Sequence, residues 1–98
     1  MKRKIIWDKK AINYLNKSIS YIRKESVQSA DRIKFEILQK IRDLPQNPEI
    51  HPADKYKQNN DGDYRYFELY HYRISYQIKE QEIVIIRVRH TSQASEDY

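Results

Sequence analysis

The 98-residue sequence predicts an α+β domain, with one leading strand, an αα-hairpin and a three-stranded antiparallel meander in a single small sheet packed on two helices. Two apolar stripes at helical spacing lie before Pro45, and from Tyr64 the apolar period changes to two. All three prolines, Pro45, Pro48 and Pro52, and the single glycine, Gly62, fall between those regimes and separate them.

Each element has a local reason. Residues 1–7 hold an apolar, β-prone run, Ile5, Ile6 and Trp7, which reads as a strand, and Asp8 offers a carboxylate to cap the amides of a following helix. In the first helix Ile12, Leu15, Ile19 and Ile22 form one stripe, with Lys9, Asn13, Lys17 and Arg23 largely away from it. Residues 26–29 are rich in capping chemistry, and Ala30, Ile33, Ile37, Ile41 and Leu44 then repeat the stripe in a second helix that ends at Pro45. Residues 45–63 read as a long loop without a regular element. In the meander Phe67 and Leu69 alternate with Tyr64, Tyr66 and Glu68, and Tyr72, Ile74, Tyr76 and Ile78 alternate with Arg73, Ser75, Gln77 and Lys79. The apolar run from Ile83 to Ile86, with Val88, makes the last strand, closing on Arg89 and His90. Tyr70 and His71 mark one tight turn and residues 79–82 the other, and residues 92–98 form a short polar tail.

Composition narrows the function. A chain of 12.0 kDa makes one domain, residues 1–98, which buries roughly 60–65% of the surface its unfolded form exposes. With no cysteine, a reducing cytoplasmic home is expected. One glycine is too few for a P-loop or dinucleotide fingerprint, and no GxSxG, HExxH or Cys/His pair occurs, which disfavours nucleotide-fold enzymes and serine, zinc or thiol hydrolases. Three histidines without ligand spacing give no basis for a metal, and no cofactor is expected. Met1 to Trp7 is too short and too basic for a signal peptide or membrane span. The net charge of +5 is uneven: residues 1–50 hold twelve Lys/Arg against six Asp/Glu, and residues 51–98 seven against eight. An acidic partner for the first half is therefore expected.

Strand parity places Phe67, Leu69, Ile74, Ile78, Val84, Ile86 and Val88 toward the helices, with Tyr72 and Tyr76 in core phase. The opposite face then gathers Tyr64, Tyr66, Glu68, Arg73, Ser75, Arg87 and Arg89, which suits phosphate holding and base stacking. The plainer reading is a solvated sheet face with Arg and Glu in cross-strand pairs. His90 is a candidate general acid, but its phase points it toward the helices unless the strand bulges. Arg65 shares the core parity of Phe67, and Lys55 and Lys57 flank Tyr56 in a loop cluster able to grip phosphates.

The basic helical hairpin ending in Leu44 and Pro45, then Arg65, the strand Tyr72-Arg73-Ile74-Ser75-Tyr76, and Ile85-Ile86-Arg87-Val88-Arg89-His90 resemble the RelE/ParE toxin superfamily over nearly the full length. The resemblance implies a bacterial type II toxin held inactive by a cognate antitoxin whose segment is acidic and partly disordered. One branch cleaves messenger RNA on the ribosome, as a metal-independent endoribonuclease; another binds DNA gyrase without nuclease chemistry; a third outcome is a non-toxic, antitoxin-binding regulator. For the RNA-cleaving branch it implies that Arg73 contacts the scissile phosphate and that Arg89, His90 and Tyr98 assist proton transfer, with Glu68 standing in for a glutamate base. Such cleavage needs a deprotonated 2′-hydroxyl, a stabilised phosphorane and a protonated leaving oxygen. Tyr64 and Tyr66 occupy positions where some members carry two lysines, a departure from the nuclease pattern.

Overall fold

The computed structural model describes residues 3–94 and 96–98; Met1 and Lys2 of the expected first strand and Ser95 of the polar tail lie outside the described residues. Strand β1 (Lys4–Trp7) leads into helices α1 (Lys9–Glu25) and α2 (Val27–Arg42), followed by a 3-10 turn at Leu44–Gln46 and strands β2 (Tyr64–Leu69), β3 (Tyr72–Ile78) and β4 (Glu82–His90). The four strands make one sheet in the order β1-β4-β3-β2, with β1 parallel to β4 and the other pairs antiparallel. This is the expected α+β arrangement, and β4 sits inside the sheet because β1 returns alongside it.

The helices begin where the sequence places caps. Asp8 has extended backbone and its carboxylate accepts from the Lys10 amide at 3.1 Å, satisfying one of the amides that a helix start leaves free. Ser26 serves both helices: its own N–H donates to the Ile22 carbonyl, and its hydroxyl accepts from the Ser29 amide at 3.1 Å. One extended residue thus turns a continuous helical pattern into a hairpin.

Leu15, Ile19, Ala30, Ile37, Ile41 and Leu44 meet Phe67, Ile74, Tyr76, Ile83, Ile85 and Val88 in one core. Three stripe assignments need correction. Ile12 is exposed, and Ala11 holds the buried place one position earlier, in phase with Leu15 and Ile19. Val84 and Ile86 do not belong to the inner set; Ile83 and Ile85 are fully buried instead. The cause is an irregularity in the β3–β4 ladder, where Tyr76 pairs with Ile85 but Ser75 with Arg87, leaving Ile86 as an extra residue. That bulge lets Ile83, Ile85 and Val88 all face the helices while Arg87 and Arg89 face outward.

The stretch at 45–63 is more organised than a bare loop. Besides the 3-10 turn, Ala53 bridges Arg65, and Asp54 N–H donates to the Tyr64 carbonyl at 2.8 Å, so the segment covers the free edge of β2. Asn60 holds the far end: its amide donates to the Tyr64 carbonyl and its oxygen accepts from Gly62 N–H. Gly62 sits at φ 108°, a conformation other residues adopt only with strain. The buried Tyr76 hydroxyl finds its partner here, donating to the Pro48 carbonyl at 2.6 Å, and burial pushes its pKa up to about 12. In the β2–β3 turn Tyr70 and His71 both have positive φ, 53° and 66°, without a glycine.

Candidate functional site

The outer face of the sheet carries the residues that strand parity assigns to it. Across the ladders, Glu68 stands opposite Arg73 and Arg73 opposite Arg89, and one step along Tyr66 stands opposite Ser75 and Ser75 opposite Arg87. Two rows of outward side chains therefore place three arginines within two strands.

Arg73 is not free. Its guanidinium lies between the rings of Tyr56 and Tyr66, 4.5 and 4.4 Å from their centroids, and it makes a 2.8 Å ion pair with Glu68. Its second terminal nitrogen is buried without a hydrogen bond and faces a carboxylate oxygen of Asp54 at 4.0 Å. The side chain retains 14% of its exposure, and that of Asp54 retains none. With two tyrosine rings against it, one carboxylate partner and little exposure, the guanidinium is tied into the fold through one terminal nitrogen, while the other has no hydrogen bond.

Asp54 joins three segments. Its carboxylate accepts from the Tyr56 amide at 3.1 Å and from the Tyr98 hydroxyl, while its backbone fixes β2. Residues 96–98 lie back across the sheet as a strap: Tyr98 N–H donates to the Tyr56 carbonyl at 2.9 Å, and Gln58 N–H donates to the Tyr98 carbonyl at 2.7 Å. The Tyr98 ring takes the Arg87 guanidinium at 4.5 Å and the Lys57 ammonium at 5.5 Å, and Arg87 donates to the Glu96 carbonyl. Burial, reinforced by the bond to Asp54, pushes the Tyr98 hydroxyl well above the ordinary tyrosine range, so it stays a proton donor.

His90 belongs to the other face, as its phase indicates. Its ring packs edge-on against Tyr72, 5.1 Å between centroids, and Ser92 closes on it: the Ser92 N–H donates to Nδ1 at 3.1 Å, and the Ser92 hydroxyl lies 2.6 Å from the same nitrogen. At the strand end it also lines, with Glu68, Arg73, Arg87 and Arg89, a cavity of about 180 Å³. Arg65 is spent on backbone: it donates to the carbonyls of Gly62, Glu49 and His51 and pins the 49–62 segment. Lys57 covers the Tyr64 ring at 4.7 Å, and Lys55 lies over Tyr56 at 5.3 Å. Arg89 is exposed.

The sequence does not single out Asp54, and it places Tyr56 only in the basic and aromatic loop cluster with Lys55 and Lys57. The only local signal for Asp54 was a carboxylate two residues after Pro52 in a turn-prone stretch. His51, which the sequence does not single out, packs 5.1 Å from the Phe67 ring, and burial, helped by the Lys40 charge, lowers its pKa. Among the described residues no group of three His, Cys, Asp or Glu side chains is placed to hold a metal, and no helix is long and apolar enough to cross a membrane.

Comparison with known proteins agrees with this architecture. Among solved structures, a chain described as belonging to the chromosomal ParDE TA system from P. aeruginosa superposes with a TM-score of 0.68 at 17% identity, covering 91% of this chain and 96% of that one. At that identity the likeness establishes the fold. No curated protein sequence matches. The family model for the ParE toxin of the type II toxin-antitoxin system, parDE, matches residues 5–95. That match runs from β1 through the whole meander, and the chain belongs to the ParE toxin family of type II toxin–antitoxin systems.

Proposed function

We propose that this chain arrests bacterial growth as the toxin of a two-gene module, is silenced by a cognate antitoxin, and acts by binding DNA gyrase rather than by cutting messenger RNA. The observation that carries the choice is the state of Arg73. A nuclease needs that arginine turned toward a scissile phosphate, whereas here it lies against two tyrosine rings and is paired with Glu68, with buried Asp54 nearby. The remaining groups fit the same reading. Glu68, the candidate base, is the ion-pair partner of Arg73, and His90, the candidate acid, has its ring on the opposite face of the sheet against Tyr72. Tyr98 is fixed on Asp54. A binding toxin needs none of these groups poised for proton transfer.

A surface for such binding is available on the helical hairpin. Tyr21 and Phe35 expose about two thirds of their side chains there, at 70% and 66%, among exposed Lys17, Lys24, Arg32 and Lys34. Exposed aromatic side chains are the anchors that protein interfaces favour, and the basic residues suit an acidic partner. The antitoxin is expected to be acidic, which suits the +6 first half.

The test is a supercoiling assay with purified chain, gyrase and relaxed plasmid. Inhibition that rises with toxin concentration and is lost in Phe35→Ala supports the reading. Undisturbed supercoiling, together with ribosome-dependent cleavage of messenger RNA by the same preparation, overturns it.

A further inference from the structure

Residues 96–98 are held by this chain in the manner of a bound peptide. Two main-chain hydrogen bonds, from Tyr98 N–H to the Tyr56 carbonyl and from Gln58 N–H to the Tyr98 carbonyl, are the bonds a β-strand makes with an edge, and they fix an extended backbone without regard to sequence. Selectivity comes from the side chains. The Tyr98 ring is gripped by the Arg87 and Lys57 cations, and its hydroxyl reaches the carboxylate of Asp54, a group only 1% exposed. An acceptor at the bottom of such a pocket rejects phenylalanine, which would leave it short of a donor. The groove beside the strap, about 650 Å³, continues to Asp8 and Lys10 at the start of α1 and is lined by Lys57, Arg87 and Arg89, so its charge complements Glu96 and Asp97.

We infer that the groove between the 54–58 loop and β4 is a peptide-recognition site for an extended acidic segment carrying a tyrosine, and that residues 96–98 fill it in cis as a self-ligand. A partner with a segment of that chemistry binds by displacing the strap, adding its backbone to the 56–58 edge and its tyrosine to the Asp54 pocket. The site is independent of the gyrase reading, which uses the helical hairpin, so the two fail separately.

The experiment titrates acetyl-Glu-Asp-Tyr-amide, capped at both ends, into the chain lacking residues 96–98 and follows the Gln58 and Arg87 resonances by NMR. A short tether gives the strap an effective concentration on the order of 1 mM, so a seated strap implies a peptide Kd below about 1 mM. The full chain should bind at least about twofold more weakly, because its own strap competes. Peptides with Phe or Ala in place of Tyr should lose at least about tenfold and nearly all of the affinity, respectively. Should the shortened chain not fold, Tyr98→Ala in the full chain empties the pocket while keeping the tether, and the same titration applies. No saturation by about 10 mM, equal binding of the Tyr and Ala peptides, or equal binding to full and shortened chains overturns the inference. So does an opened face that takes a single-stranded oligonucleotide and not the peptide.

Discussion

Replacing Arg73 with alanine separates a structural cation from a ligand-directed one. The substitution removes two guanidinium–tyrosine stacks at 4.5 and 4.4 Å, together worth about 1–2 kcal/mol at a site this shielded. It removes the Glu68 pair, which contributes under about 1 kcal/mol because Glu68 is 46% exposed and solvent screens it. It also leaves the Asp54 carboxylate buried without a nearby cation, a cost of about 1–2 kcal/mol after its bonds to the Tyr56 amide and Tyr98 hydroxyl are credited. The expected loss is about 3 kcal/mol, which at ~4–8 °C per kcal/mol for a domain of this size lowers Tm by roughly 12–24 °C. Arg73→Lys keeps the charge but not the planar stack and should fall between the two proteins. Thermal unfolding of the purified variants, followed by circular dichroism, reads the effect. An arginine kept free for a ligand costs under about 0.5 kcal/mol to remove, so an Arg73→Ala protein melting within about 4 °C of the parent would refute the reasoning.

Further consequences follow from other parts of the fold. Tyr76→Phe deletes the hydroxyl that donates to the Pro48 carbonyl and should destabilise by about 1–1.5 kcal/mol in urea unfolding, with no change in slope. Ile37→Ala empties a fully buried position between the helices and the sheet and should cost about 2–5 kcal/mol by the same assay. His71→Gly relieves a positive-φ residue in the β2–β3 turn and should raise stability by about 1 kcal/mol, read as a higher Tm. His51 has a folded-state pKa below its unfolded value of 6.5, so between the two values the unfolded chain binds more protons and stability rises with pH. Acidification from pH 6.5 downward should therefore lower Tm, and His51→Gln should flatten that part of the profile; a slope unchanged by the substitution contradicts the assignment.

The legible part of this protein is what periodicity and capping determine locally. Asp8 and Ser26 announce the helix starts, Ile37 and Ile41 follow one stripe, and the alternation through Tyr72, Ile74 and Tyr76 fixes β3, because each pattern depends on neighbours a few residues away. The last strand is harder. A run of apolar residues from Ile83 to Ile86 is compatible with either phase, and only the pairing with β3 creates the bulge that puts Ile83 and Ile85 inside. The outer face was readable as composition, since Glu68, Arg73, Arg87 and Arg89 do share it. Its electrostatic state was not, because Asp54 and Tyr56 arrive from the loop and Tyr98 from the far end of the chain, all by tertiary contact. Arg65 shows the same limit: its parity was correct, but its three carbonyl partners depend on how the 49–62 segment closes.

The proposed function has this ParE-family chain act by binding gyrase rather than by RNA chemistry. The most direct measurement induces the chain alone in bacteria and, within minutes, maps messenger RNA ends beside the superhelical density of a reporter plasmid. Intact messages with loss of negative supercoiling are the predicted result. New ends clustered within translated codons, on a plasmid of normal superhelicity, would contradict the account and return Arg73, Glu68 and His90 to a catalytic role.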